Sequence, residues 1–363
     1  MKLGIVGLPN VGKSTIFNAM TKANVEVANY PFCTINPNIG ITMVPDKRLD
    51  ILEKVYNAKN KIYTTVKFID IAGIIKGASH GNGLGNRFLS YIREANAIVH
   101  VVRCFTDINI SHVMGNINPI RDIDIINTEL LLSDIDFISN IIKKNKEKVS
   151  LILDKKKHIE TIDFLTKIKN HLNTGKFART ISTISNDENN ILARLNLITS
   201  KPMIYACNIS EIDLFKKSNY FKDLITAANN GDAKLVLICA KIEEEVSKIR
   251  NNKKMLKEFN INISGLDKLI NIGYKILGLQ TFFTAGVKEV RAWTIKNGTS
   301  ALEASAIIHS DFKKGFIRAE VMNFNDFIKF NNEKLVKNSG LLRSEGKKYI
   351  IKDGDIINFR FNI

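Results

Sequence analysis

The octapeptide Gly7-Leu8-Pro9-Asn10-Val11-Gly12-Lys13-Ser14 fits the pattern GxxxxGK[ST]. Residues 3–8 (LGIVGL) form a short apolar run closed by Pro9, which reads as a buried strand. Residues 14–22 read as a helix. Strand, glycine-rich turn and helix in that order make a phosphate cradle. Successive backbone N–H groups face inward around a β-phosphate, and the helix N-terminus adds positive potential. Lys13 then reaches the β- and γ-phosphate oxygens, and the Ser14 hydroxyl becomes a ligand for Mg²⁺.

Two further stretches supply what such a cradle needs. In residues 68–73 (FIDIAG) a carboxylate at a strand end stands in the DxxG spacing. Asp70 is expected to hold Mg²⁺ through water, and the Gly73 N–H to sense the γ-phosphate. Gly77, Gly81, Gly83 and Gly85 follow, a stretch flexible enough to be a switch ordered by triphosphate. Between the two motifs lies Tyr30-Pro31-Phe32-Cys33-Thr34. A threonine there completes the Mg²⁺ shell, so Thr34 is the third candidate metal ligand. Cys33 is either an inert loop thiol or a redox-sensitive one.

Apolar runs at 65–71, 97–105 (AIVHVVRCF), 202–207 and 234–240 (KLVLICA) alternate with helical stretches. This pattern predicts an α/β fold, a P-loop NTPase G domain with a mostly parallel sheet covered on both faces, over residues 1–256. From about 128 to 199 strand signals stop. Leu131, Ile135, Ile138 and Ile142 form one helical stripe, and Ile162, Leu165, Ile168 and Leu172 another. An α-helical antiparallel-pair insertion is expected there, with the KKNKEK run at 143–148 as a solvated tip. From about 278 the pattern changes again. Strands are expected at 292–295 and 316–322, a helix at 300–309, and a hairpin in which 349–351 and 356–361 flank the Asp353-Gly354 turn. Residues 278–361 thus read as a separate small α+β domain.

At 363 residues the chain exceeds one ordinary domain. Hydrophobic residues make up 45% and charged residues 25%, and no apolar run approaches the ~18 residues that span a bilayer. The N-terminus does not read as a signal peptide. No membrane association is expected. Cys33, Cys104, Cys207 and Cys239 are scattered without a CxxC pair, which argues against a zinc site or a disulfide framework and for a reducing cytoplasm. The net charge of +17, from 53 Lys+Arg against 36 Asp+Glu, favours a polyanionic partner such as RNA. An AT-rich genome, with its heavy use of Ile, Lys and Asn, produces the same excess.

The stretches GIVGLPNVGKSTIFNAMTKA, NYPFCTINPN, DIAGIIKGASHGNGLGN and QTFFTAGVKEVRAWTI resemble the YchF family, a branch of the Obg-related translation-factor GTPases. The similarity runs over essentially the whole chain. It implies a cytoplasmic nucleotidase that prefers ATP to GTP, associates with the ribosome (large subunit or whole) and its RNA, and ends in a TGS domain of β-grasp-like fold. A monomer is the expected state. The resemblance carries phosphate-loop roles onto Asn10, Val11, Gly12, Lys13, Ser14 and Thr15, magnesium ligation onto Ser14 and Thr34, and a base contact onto Ile209.

Residues 205–213 (YACNISEID) put Asn208-Ile209-Ser210-Glu211 where guanine-binding proteins carry Asn-Lys-x-Asp. There the Asp carboxylate accepts hydrogen bonds from guanine N1–H and the exocyclic amine. Adenine offers neither donor, so sites built this way reject it on the order of 10⁴-fold. Here the carboxylate sits one methylene farther out and Ile209 replaces the Lys. Guanine loses its discriminating partner, while an apolar Ile can pack on adenine with its backbone groups reading the base edge. ATP is therefore expected over GTP. Asn208 either braces the loop or faces N7 of the base, and Glu211 reads equally as a surface residue. Residues 239–241 form the remaining base loop.

Many small G proteins follow DxxG with a water-orienting Gln; here the residue is Ile74, which cannot do that work. His112, in INISHVMG, is the candidate catalytic replacement, swinging in to position water; the alternative is a loop histidine in solvent. Phe105 either walls the adenine pocket or belongs to the core. Three functions follow: an ATP-dependent switch on the translation machinery, a GTP-selective ribosome-assembly GTPase, or a nucleotide-independent RNA-binding adaptor. Segment 208–211 argues against the second, and the intact phosphate loop against the third.

Overall fold

The computed structural model describes residues 1–22, 39–71, 89, 91–148, 155–183, 185–214, 220–248 and 264–362. Two compact units emerge, Met1–Ile41 with Lys67–Leu269, and Thr42–Val66 with Ile270–Ile363. The expected limits put all of 1–256 in the first. Residues 42–66 instead stand with the C-terminal unit.

In the first unit, β1 (Lys2–Val6), β4 (Thr65–Asp70), β5 (Ala97–Arg103), β6 (Met203–Asn208) and β7 (Ala233–Ile238) match the apolar runs. With β2 (Ile39–Met43) they form one sheet in the order β2-β4-β1-β5-β6-β7. The pairs β1/β4, β1/β5, β5/β6 and β6/β7 are all parallel. β5 and β6 are buried along their whole length, which is why they read as unbroken apolar runs rather than alternating ones. The parallel order puts the carboxyl ends of β1, β4, β5 and β6 along one edge, the place where open α/β sheets bind ligands.

Helix α1 (Lys13–Lys22) follows β1, and α2 (Lys47–Tyr56) lies in the second unit. Helix α3 (Pro119–Lys148) starts nine residues before the expected insertion and runs from the sheet domain into it. Its inner half buries Ile123, Ile126 and Leu130. Its outer half packs Leu131 and Ile138 against Phe164, Leu165, Ile168 and Leu172 of α4 (Lys155–Asn173). The Asn145 carbonyl meets His158 Nε2 at 2.9 Å near one end, while Leu131 and Leu172 share the cluster near the other, as an antiparallel pair requires. A third helix, α5 (Asn186–Leu195), joins them. Its start is capped by Ser185, whose hydroxyl accepts from the Glu188 N–H. The sequence reading passed it over.

Helices α6 (Phe221–Asn230) and α7 (Ala240–Ser247) flank β7, and α8 (Gly265–Ile276) closes the described part of this region. Glu243 of α7 is buried and caps α8, accepting from the N–H groups of Gly265 at 2.5 Å and Leu266 at 3.3 Å. Burial pushes its carboxyl from 4.5 up to about 7, against the pull of those two donors. The folded chain thus keeps a proton between pH 4.5 and 7 that the unfolded chain has released. Stability from this group is full below pH 4.5 and is lost as pH rises through 7. The loss amounts to on the order of 3 kcal/mol. Glu243→Gln keeps an acceptor for both N–H groups without the charge. It should raise the melting temperature by a few degrees at pH 8 and leave it unchanged at pH 4.5, as read by circular dichroism.

The second unit is a mixed sheet ordered β11-β10-β12-β8-β9-β3. Its strands are β3 (Asn60–Ile62), β8 (Leu279–Ala285), β9 (Glu289–Lys296), β10 (Phe316–Asn323), β11 (Arg343–Glu345) and β12 (Asp355–Phe361). Neighbouring residues alternate between two cores. Phe283, Ala292, Met322 and Ile356 face one, and Phe282, Val321 and Ile357 the other. The first core is closed by Leu49 and Leu52 of α2, by Phe324 and Phe327 of α11 (Phe324–Phe330) and by Val336 of α12 (Glu333–Asn338). The second is closed by Ala301 and Ala304 of α9 (Ala301–Ile308), with Phe312 of α10 (Ser310–Lys314) against it.

The expected hairpin at 349–361 does not form. Ile350 makes only an isolated bridge to Ser300, and β12 pairs antiparallel with β10 and parallel with β8. The Asp353 carboxylate accepts from the Thr281 N–H and from Arg48, and the Asp355 carboxylate accepts from the Lys352 N–H. These bonds turn the chain across the sheet instead of back on itself.

Candidate functional site

The phosphate loop hangs between the ends of β1 and β5 and the start of α1. Gly7, at φ +154°, lies so close to β5 that a Cβ would come within 2.5 Å of the Val101 carbonyl oxygen. Gly12, at φ +98°, would place one 2.4 Å from Asn208 Nδ2. Asn10 takes the left-handed conformation at φ 60°, and its side-chain amide donates to the Ser111 carbonyl at 3.3 Å. Val11 is buried, and Thr15 is half-buried in the first turn of α1.

Lys13 is 8% exposed and donates from Nζ to the Leu8 carbonyl at 2.7 Å. Desolvation brings its amine down to about 8, and the facing Asp70 carboxylate limits the drop. Ser14 Oγ donates to Asp70 Oδ2 at 3.4 Å. Burial raises the Asp70 carboxyl above its ordinary value, opposed by Lys13 and Ser14. A buried cation, a hydroxyl and a half-buried carboxylate therefore converge on one edge of the sheet, as the motif spacing predicts. Thr34 and Gly73 lie outside the described residues, as do Cys33, Ile74 and the glycines at 77–85.

Asn208 is a brace. Its Nδ2 donates to the Val11 carbonyl at 3.0 Å, and its Oδ1 accepts from the Ala240 N–H at 3.0 Å. Both ends of the amide are thus committed to holding the phosphate loop to the start of α7. Ile209 is 2% exposed, and its N–H donates to the Ile238 carbonyl at 2.8 Å. What it can offer a base is its side chain and carbonyl. Glu211 is exposed and paired with Lys241 at 2.9 Å, in the loop expected to complete the base site.

His112 is not the solvent-facing loop residue of the alternative reading. Its side chain is 2% exposed. Nδ1 accepts from the Met114 N–H at 3.1 Å, so the ring proton sits on Nε2, which donates to Asp122 Oδ2 at 2.9 Å. The segment before it is organised by Arg103, a fully buried guanidinium at the end of β5. Arg103 donates to the carbonyls of Phe105, Asp107, Ile110 and Ser111 and stacks over the Phe105 ring at 4.6 Å. Phe105 thus serves as a platform for Arg103.

The sequence reading missed Arg103, Asp122 and His100. The signal for Arg103 and His100 was present, since a charged or titratable residue inside an apolar run such as AIVHVVRCF needs a reason. His100 is buried edge-on to Tyr205, and burial, reinforced by Lys13, holds its ring at about 3, hence neutral.

A model described as a 50S ribosome-binding GTPase matches residues 2–155. The model of the YchF GTPase C-terminal domain, described as a protein of unknown function, matches residues 279–362. The chain is 47% identical to the ribosome-binding ATPase YchF of Haemophilus ducreyi, over 100% of this chain and 99% of that one. It is also 47% identical to the ribosome-binding ATPase YchF of Bacillus subtilis, over 99% of both. The solved structure of the Schizosaccharomyces pombe YchF GTPase superposes with a TM-score of 0.88 at 37% identity, covering 99% of this chain and 97% of that one. Similarity of this extent, over the full length of both curated relatives and of the solved structure, shows that the chain belongs to the YchF family.

Proposed function

We propose that this protein is a ribosome-associated P-loop nucleotidase that binds and slowly hydrolyses ATP in preference to GTP, acting as a nucleotide-dependent switch. The observation that carries the base preference is the Glu211 carboxylate, exposed and paired with Lys241, in the position where a guanine-reading Asp would stand buried and aimed at the base. Full-length relatives named ribosome-binding ATPases support the activity and the partner. Lys13, with Asn10, Val11, Gly12, Ser14 and Thr15, cradles the phosphates. Gly73 senses the γ-phosphate, and Asn208 and Ile209 border the base.

Ser14 Oγ and the Asp70 carboxylate are hard oxygen donors 3.4 Å apart, a pair that suits Mg²⁺. Ser14, Asp70 and Thr34 would hold the ion, which when bound neutralises charge on the transferred phosphoryl group. His112 orients the attacking water in place of the missing Gln. Ribosomal RNA on the large subunit or whole ribosome is the macromolecular partner, met by a cytoplasmic monomer whose charge of +17 suits it.

Equilibrium titration of the purified chain with fluorescent ADP and GDP analogues in Mg²⁺ tests the base preference. ADP should bind at least about tenfold more tightly than GDP. Equal or guanine-favoured binding would hand the lead to a GTP-selective assembly factor.

A further inference from the structure

The Ser111 carbonyl is bonded to Asn10 of the phosphate loop, so the backbone of His112 starts one residue away from it. Its ring nevertheless turns to the first turn of α3. There both ring nitrogens are spent, Nδ1 on the Met114 N–H and Nε2 on Asp122. A histidine that orients water must offer one of those nitrogens to it. The arrangement therefore holds the side chain at rest while Arg103 fixes the four carbonyls before it.

We propose that Asp122 is a positioning residue for ATP hydrolysis, holding His112 in a resting place from which the ring must be released before it can orient the attacking water. The inference rests on the assignment of His112 given above. Asp122 suits the part. Its side chain is 2% exposed, so its bond to His112 is shielded from water. Its other oxygen is clamped by Arg121, through Nε at 3.2 Å and Nη2 at 3.0 Å, which fixes the direction of the acceptor. Arg121 is itself tied to Asn116, through the side-chain oxygen at 2.5 Å and the carbonyl at 2.6 Å, so the clamp spans the segment that joins His112 to α3. A hydrogen bond to a carboxylate is roughly twice as strong as one to a neutral amide. Replacing the carboxylate by an amide of the same shape then shifts the ring toward its released position.

Single-turnover hydrolysis of ATP by the full chain reads this shift. Asp122→Asn should raise the rate constant about fivefold, with ADP affinity unchanged. Arg121→Gln, which loosens the clamp without touching His112, should raise it by a smaller factor. Both gains should vanish when His112→Ala is added. His112→Ala alone tests the underlying assignment, because an unchanged rate in that variant removes His112 from the reaction. A loss in His112→Ala together with unchanged or lowered rates in Asp122→Asn and Arg121→Gln would overturn the resting-place role and leave the histidine's role intact. Thermal unfolding of each variant identifies any that is not folded, and the other then carries the test.

Discussion

Asn208→Ala should weaken ADP binding about a hundredfold while leaving the sheet folded. The substitution strips two buried backbone groups of their partners, the Val11 carbonyl and the Ala240 N–H. Each unsatisfied group costs about 1–3 kcal/mol. Val11 lies inside the phosphate loop and Ala240 begins α7, so the cost falls on the geometry that receives the nucleotide. Asn208→Asp separates the two bonds. Its carboxylate still accepts from Ala240 but faces the Val11 oxygen with no proton to give, so it should bind ADP no better than the alanine variant. Calorimetric titration with ADP, alongside melting curves, checks both. Wild-type affinity in either variant would mean that the loop holds its shape without the brace.

The second large effect concerns residues 42–66. A fragment of residues 270–363 should show no cooperative unfolding, although it contains every strand of its sheet except β3. It lacks Leu49 and Leu52, both fully buried against Phe283, Val290 and Phe327. Each buried leucine contributes about 1.5–3 kcal/mol. It also lacks Arg48, which donates to Asp353 at 2.7 Å, and it leaves the β9 edge open where Asn60, Lys61 and Ile62 pair. Lys61 in turn holds Asp50 and Glu53 of α2, so helix and edge strand come as one piece. Fusing residues 42–66 ahead of the fragment should restore a dispersed amide NMR spectrum. In the full chain, Leu52→Ala should cost about 2–5 kcal/mol in denaturant unfolding. A well-dispersed spectrum from 270–363 alone would refute the dependence.

The parallel strands were legible because strands buried on both faces are written as continuous apolar runs. The two stripes of the insertion were legible because Leu131, Ile138, Ile162, Ile168 and Leu172 recur at helical spacing and are buried. Helix α2 was not. It buries only Leu49 and Leu52 among charged residues, and its partners lie some 230 or more positions away, as the Thr64–Thr294 bond measures. Local pattern holds no record of so distant a partner. In the site, Lys13, Ser14, Asp70 and Asn208 come together because the motifs encode backbone geometry directly. The pairing of His112 with Asp122 stayed hidden because it depends on how the loop before His112 folds around Arg103 and on how the segment after it is tied by Arg121 to Asn116. Thr34 and Gly73 lie outside the described residues and rest on motif spacing and resemblance.

The division of the second unit between positions 42–66 and 270–363 also sets an order of events during synthesis. Residue 48 leaves the ribosome 305 positions before its partner Asp353. At about 5–20 residues per second the apolar face of α2 waits on the order of 15–60 s for the sheet that covers it. The chain around it can complete its parallel sheet in that interval, while the smaller unit is complete only once β12 has been made. Premature termination between residue 270 and Phe283 would therefore strand Leu49 and Leu52 in solvent and mark the truncated product for chaperones or proteases.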